Sequence, residues 1–174
     1  MIKPDIGIES TMAGLIIDAQ YRTTVRMLCQ RARRRIYASV FIVELVSDSG
    51  LETEVIKLLD DLMDAYNRSV DVRLMIGGSS QNIDIQDKTE AALVHCRRLG
   101  IPCHLVALQS EKSSHKKIVV ADNYVLIGSH NWSPGSFRGQ TQDSVLVQDA
   151  RLAAYFAHQL AQDWRNLESE DDNV

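Results

Sequence analysis

The chain has 174 residues, 45% of them apolar and 24% charged, which is enough to bury one domain's core and too apolar for a disordered or collagen-like polymer. Its net charge of −4 is not that of a polycationic nucleic-acid binder, but Glu168, Glu170, Asp171 and Asp172 crowd its last residues. Without those four the acids and bases are equal in number, so a near-neutral body over 1–167 is expected to carry an acidic disordered tail at 168–174. No apolar run reaches the roughly 20 residues that cross a bilayer, and 1–11 lacks the basic start and hydrophobic stretch of a secretion signal, so the expectation is a soluble cytoplasmic protein with no membrane partner.

In chain order, an apolar run at 13–17 predicts a first strand. The segment 19–35 places Val25, Leu28, Cys29 and Ala32 at helical spacing with Arg22, Arg26 and Arg33 beside that stripe, an amphipathic helix with a basic flank. A solvated surface explains that flank more simply than a phosphate track. Arg33 and Arg34, in a run of three arginines, are nevertheless carried forward as candidate substrate contacts.

The β-branched and apolar residues of 36–46 predict a strand buried on both faces, ended by 47–50. A helix follows over 51–68, with Val55, Leu58, Leu59, Leu62 and Met63 on one side, then a strand over 70–76 closed by Gly77-Gly78-Ser79-Ser80. That glycine loop has no P-loop lysine after it and reads as a mobile segment bordering a site. A helix over 87–99, ended by Gly100, and a strand over 103–107 complete an alternation that predicts a mixed, mainly parallel sheet with helices on both faces. Cys29, Cys96 and Cys103 are odd in number and widely spaced, as buried thiols are. His95, Cys96, Cys103 and His104 match no usual zinc spacing, so neither a metal nor another cofactor is expected.

The most informative stretch is 114–133, S-H-K-K-I-V-V-A-D-N-Y-V-L-I-G-S-H-N-W-S. Two apolar runs, 118–121 and 124–127, flank Asp122-Asn123 and read as a β-hairpin. Side chains two apart share a face of a strand, pairing His115 with Lys117 and Ser129 with Asn131. An imidazole can attack phosphorus, an ammonium can neutralise a non-bridging oxygen, and a hydroxyl and an amide can donate to developing charge. His130, between the two polar positions, should face the other way.

His115-x-Lys117-x4-Asp122 followed by Gly128-Ser129-x-Asn131 resembles the HKD signature of the phospholipase D superfamily, whose members cleave or transfer phosphodiesters through a phosphohistidine. The resemblance implies a phospholipase D-like fold, with His115, Lys117, Ser129 and Asn131 catalytic and Asp122 and Gly128 structural. It also makes Asp143 the match for an acidic residue that family members hydrogen-bond to the catalytic histidine, against the simpler reading of a surface aspartate opening a strand. The spacing from Asp122 to Gly128 is one residue shorter than the family's usual one. A two-residue loop would oppose Lys117 to Gly128 and turn Ser129 to the wrong side, so an odd-length loop or a β-bulge is expected.

Beyond the hairpin, 132–142 reads as a loop or short helix, 144–148 as a last strand and 150–167 as a closing helix. Trp132 is a candidate to contact a base. Only one H-x-K motif is present, and the resemblance implies that two share a site, so a homodimer through the face carrying His115 is expected. The substrate class that follows is nucleic acid. Phospholipid hydrolysis or phosphatidyl transfer, and a non-catalytic nucleic-acid-binding module, are the alternatives.

Overall fold

The structure is a computed structural model that describes residues 12–45, 54–79, 81–106 and 114–171. The segments expected at 47–50 and 109–113, the first residues of the second helix and the end of the acidic tail lie outside the described residues. Seven strands form one sheet in the order β1-β7-β6-β5-β2-β3-β4. They are β1 Met12–Ile17, β2 Arg35–Val40, β3 Asp71–Ile76, β4 Cys103–Leu105, β5 Lys117–Ala121, β6 Tyr124–Gly128 and β7 Asp143–Gln148. The helices are α1 Gln20–Arg31, α2 Glu54–Asn67, α3 Ile83–Leu99, α4 Pro134–Arg138 and α5 Ala150–Asp171.

The mixed α/β class holds, with a difference in the sheet. Only β2–β3 and β3–β4 pair in parallel, and the other four pairings are antiparallel. The reason is β5: it does not extend the parallel run beyond β4, but returns to the open side of β2 and pairs with it antiparallel. The hairpin then adds β6, β7 follows, and β1 caps that side.

Alternating side chains give the sheet two apolar faces. Ile36, Ala38, Leu74, Val119 and Leu126 pack with α1, α2, α3 and Trp132 in the larger cluster. Tyr37, Met75, Ile118, Val120 and Val125 meet Ala153, Ala157, Leu160 and Trp164 of α5 on the other side. Helix α3 starts where the Asn82 side chain accepts the Ile85 N–H at 3.3 Å and stops at Gly100, whose φ of +77° suits a residue without a Cβ. It begins four residues before the expected position, at Ile83.

The tail boundary moves as well. Helix α5 continues to Asp171, and Trp164 Nε1 donates to Glu168 Oε1 at 2.6 Å, one helical turn on. The basic flank of α1 is taken up by α2: Arg22 pairs with Glu54, and Arg26 Nε meets Asp61 Oδ2 at 2.7 Å.

The expected odd loop or bulge does not occur. Ala121 opposes Tyr124, leaving Asp122-Asn123 as a two-residue turn, and the pairing runs on through Ile118 and Ile127. Asp122 takes a φ of +50°, which aspartate tolerates better than most side chains. Its carboxylate accepts the backbone N–H groups of Arg33, Arg34 and Arg35 at 2.8, 3.0 and 3.1 Å. Burial alone would raise its pKa, but these three donors outweigh burial and hold it below the ordinary carboxylate value.

With the folded-state pKa below the unfolded value of 3.8, this stabilisation is complete above that value and is lost as pH falls through the folded-state pKa. Asp122→Ala should therefore cost roughly 3 kcal/mol at pH 7, the scale of losing hydrogen bonds to a charged acceptor. Urea unfolding should show the deficit at pH 7, and it should shrink as pH falls below the unfolded value of 3.8.

Candidate active site

The candidate catalytic residues lie at one edge of the sheet, where β2, β3, β4 and β6 end and β5 and β7 begin. In a sheet with helical crossovers this is the edge at which loops are free to hold ligands. Val40 of β2 opposes Lys117 of β5, so the next residue, Phe41, lies beneath the approach to β5. The His115 ring packs on Phe41 with centroids 4.4 Å apart and planes tilted by 44°, and Lys117 Nζ sits 5.0 Å from the Phe41 centroid.

Lys117 Nζ lies 3.2 Å from His115 Nδ1 and 3.4 Å from Nε2, and it donates to the His115 carbonyl at 3.3 Å. An ammonium donates to a ring nitrogen only where that nitrogen carries a lone pair, so this contact selects the neutral imidazole. Burial lowers the His115 pKa first and the Lys117 charge lowers it further; burial also lowers that of Lys117. His115 itself remains exposed. The pair is thus an accessible, uncharged imidazole beside a fixed cation.

Asn131 reaches the same strand end from the other side. Its Oδ1 accepts the Ile42 N–H at 3.2 Å, and its own N–H donates to Ser136 Oγ at 3.3 Å. The Ile42 bond engages the amide oxygen and leaves the NH2 group as the side chain's remaining donor. Behind it, Trp132 N–H donates to the Ile42 carbonyl at 3.0 Å and the Trp132 carbonyl accepts from Glu44 N–H at 2.8 Å.

Ser129 and Asp143 close the ladder between β6 and β7. Ser129 N–H donates to the Asp143 carbonyl at 2.9 Å, while Asp143 N–H donates to Ser129 Oγ at 3.1 Å. The serine hydroxyl stands where the residue's own carbonyl would complete the rung, and the chain turns away from the sheet there. Gly128 opposes Ser144, and a Cβ at Gly128 would overlap Ser144 Oγ and the Asp143 carbonyl. Only glycine allows this close approach. The Ser129 and Asp143 side chains are exposed, and among the described residues no hydrogen bond joins the Asp143 carboxylate to His115.

Three expected contacts are corrected. Trp132 is completely buried, with Nε1 donating to Tyr21 Oη at 3.3 Å, so it is a core residue and cannot meet a base. Arg33 and Arg34 lie at the opposite end of β5 from His115, roughly 20 Å away at about 3.3 Å per residue. There Arg34 donates to Asn123 Oδ1 at 2.8 Å, and both arginines serve the Asp122 turn. The glycine loop does border the site, but Gly77 and Gly78 are buried and bonded to the Val40 and Phe41 carbonyls at 2.8 Å.

His130 faces inward, as expected. It is fully buried and stacks on Tyr21 at 4.4 Å and 6°. Nε2 lies 3.2 Å from the Asp18 carbonyl, which can only accept, so Nε2 carries the proton and Nδ1 accepts from Ser144 Oγ at 2.8 Å. Phe41 was missed by sequence reading: an aromatic residue after a β-branched run carries no signal of its place under a site. Cys96 and Cys103 are buried neighbours of each other and His104 packs on Trp164. Among the described residues no three histidines, cysteines or acids come together as a metal site would need. No described helix is long and apolar enough to cross a membrane.

The fold and this strand-edge arrangement define a phospholipase D-like domain. A family profile described as "Cardiolipin synthase, PLD-like domain" matches residues 25–164, and the chain belongs to that family. Among solved structures it is similar to Nuc from Salmonella typhimurium, a phospholipase D family member, with TM-score 0.71 and 19% identity over 90% of this chain and 95% of Nuc. NucT from Helicobacter pylori gives 0.65 and 12% over 90% and 97%. The phosphatidylserine synthase of Haemophilus influenzae gives 0.68 and 15% over 84% of this chain but 35% of the synthase. The archaeal chromatin protein TrmBL2, described with a novel mode of DNA binding, gives 0.55 and 15%, over 94% of this chain and 56% of TrmBL2. Comparison with curated protein sequences gave no match.

The electrostatic coupling at the site can be read directly. Lys117→Met keeps the aliphatic stem and removes the charge, so the His115 titration midpoint, followed by NMR of the imidazole carbons, should rise toward the ordinary value of about 6.5. Burial remains in the variant, so only part of the shift should be recovered. An unchanged midpoint would show that the Lys117 charge does not act on this ring.

Proposed function

We propose that the chain is a metal-independent phosphodiesterase, a nuclease cleaving DNA or RNA through a phosphohistidine in a homodimeric site. The observation that carries this reading is the His115–Lys117 pair: an exposed imidazole whose proton is repelled by an ammonium 3.2 Å away. A neutral imidazole is the form that attacks phosphorus.

In the first step a His115 nitrogen bonds to phosphorus and the bond from phosphorus to the leaving oxygen breaks. Lys117, the Ser129 hydroxyl and the Asn131 amide stabilise charge on the non-bridging oxygens. The attacking ring has lost its lone pair to phosphorus and cannot protonate the leaving oxygen, so a second acid is required. The partner's His115, in its protonated form, supplies that proton. Water then attacks the phosphohistidine and yields its proton to the partner's His115, releasing a phosphomonoester and restoring both rings. The Asp143 carboxylate, not bonded to its own chain's His115, is left to orient the partner's His115.

A lipid reading also has support, from the description of the family profile and from the likeness to a phosphatidylserine synthase. On that reading an alcohol in place of water attacks the same intermediate. A non-catalytic nucleic-acid-binding module fits the likeness to TrmBL2, but it leaves the paired His115 and Lys117 without a task.

Purified protein in excess EDTA should cleave labelled single-stranded DNA or RNA, and His115→Ala should abolish cleavage. Loss of cleavage in EDTA would refute metal independence, and cleavage by the variant would refute the histidine mechanism. The rate should follow a bell-shaped pH profile, because one imidazole must be neutral and the other protonated. The lowered His115 pKa sets the direction: its neutral form persists below the ordinary value, so the acid limb should fall below about pH 6.5. A limb above that value would contradict the direction.

A further inference from the structure

We propose that the cavity between the start of β5 and helix α5 is a binding subsite for one nucleobase of the substrate, next to the phosphate being cleaved. The proposal rests on the nuclease reading above and names where that substrate's base goes. The cavity has a volume of about 260 Å³, with Ile118, Ile127 and Leu160 as aliphatic lining, the Tyr155 and Phe156 rings, and Gln159 and Lys116 as its polar members.

Its position ties it to the site. Lys117 contributes to its lining, and the Lys117 ammonium lies 3.2 Å from His115 Nδ1. Successive residues of an extended chain face opposite sides. Lys117 turns to His115 and Phe41, whereas Lys116 turns to α5 and pairs with Asp163. A nucleotide lying over this strand end places its phosphate on the Lys117 side and its base on the Lys116 side.

The chemistry fits a base better than a lipid chain. Tyr155 is 42% exposed and Ile127 is 41% exposed, which are high values for apolar side chains lining a cavity and leave surface for a ligand to cover. A flat ring gains from aromatic and aliphatic walls, and the Gln159 amide can both donate to and accept from a base edge. Sites that enclose a drug-sized ligand run to roughly 300–1,000 Å³. The cavity falls below that range, so it suits a single ring system and not paired acyl chains.

The test compares a single-stranded oligonucleotide with the same oligonucleotide carrying a tetrahydrofuran abasic residue at successive positions. Wild-type protein should lose about tenfold in kcat/KM when the abasic residue adjoins the cleaved phosphate, the scale of one lost stacking contact. Tyr155→Ala and Gln159→Ala should lose activity on the normal strand and little more on the abasic one. Both residues are exposed, so these variants should keep the wild-type melting temperature, which is measured alongside. Equal cleavage of normal and abasic strands by wild-type protein would overturn the subsite and leave the nuclease reading standing. Wild-type protein that cuts neither strand would overturn both. Hydrolysis of phosphatidylglycerol vesicles that falls in Tyr155→Ala, without strand cleavage, would overturn the base assignment and give the cavity to an acyl chain.

Discussion

The arrangement depends on one carboxylate and three amides. Asp122 stands at a turn of positive φ and takes the N–H groups of three consecutive residues at the entrance to β2. That clamp fixes where β5 lies along β2, and the antiparallel ladder carries the register to the other end. There Lys117 meets Val40, and the next step of β2 puts Phe41 under His115 and Lys117. Ladder hydrogen bonds come at fixed intervals, so a slip of one residue at the clamp would turn every side chain of β5 to the wrong face. The aspartate of the motif thus acts on the site through register, from the far end of the strand.

Much of the fold was legible because periodicity is a local signal. The strand-and-helix alternation, the end of α3 at Gly100 and the inward turn of His130 all follow from spacing and residue type. The direction of the sheet did not, because nothing in 118–121 says that the strand returns beside β2. Pairing partners are chosen by the whole fold. Trp132 misled for a related reason: its position beside Asn131 suggested a place at the mouth of the site, but the chain crosses the end of β2 there and buries the ring against Tyr21. Arg33 and Arg34 carry a local charge that sequence displays well, but their distance from His115 is a property of the sheet.

The hairpin register is the most instructive difference. The two-residue turn does oppose the strands as strict alternation requires, yet Ser129 and Asn131 still lie at the same edge of the sheet as His115, because the ladder ends at Ser129 and the chain bends across Ile42. Alternation describes side chains only while a strand continues. The candidate residues lie just past the ends of strands, where backbone groups no longer have fixed partners and side chains take their place.

The rung closed by Ser129 shows what that substitution allows. The Asp143 carbonyl receives two donors, the Ser129 N–H and the Ser129 hydroxyl. If the hydroxyl proton swings to an incoming anion, the carbonyl keeps the amide and stays paired. The oxygen meanwhile still accepts the Asp143 N–H. The side chain therefore holds a proton it can lend without loosening the sheet, a reserve that an ordinary backbone rung does not possess.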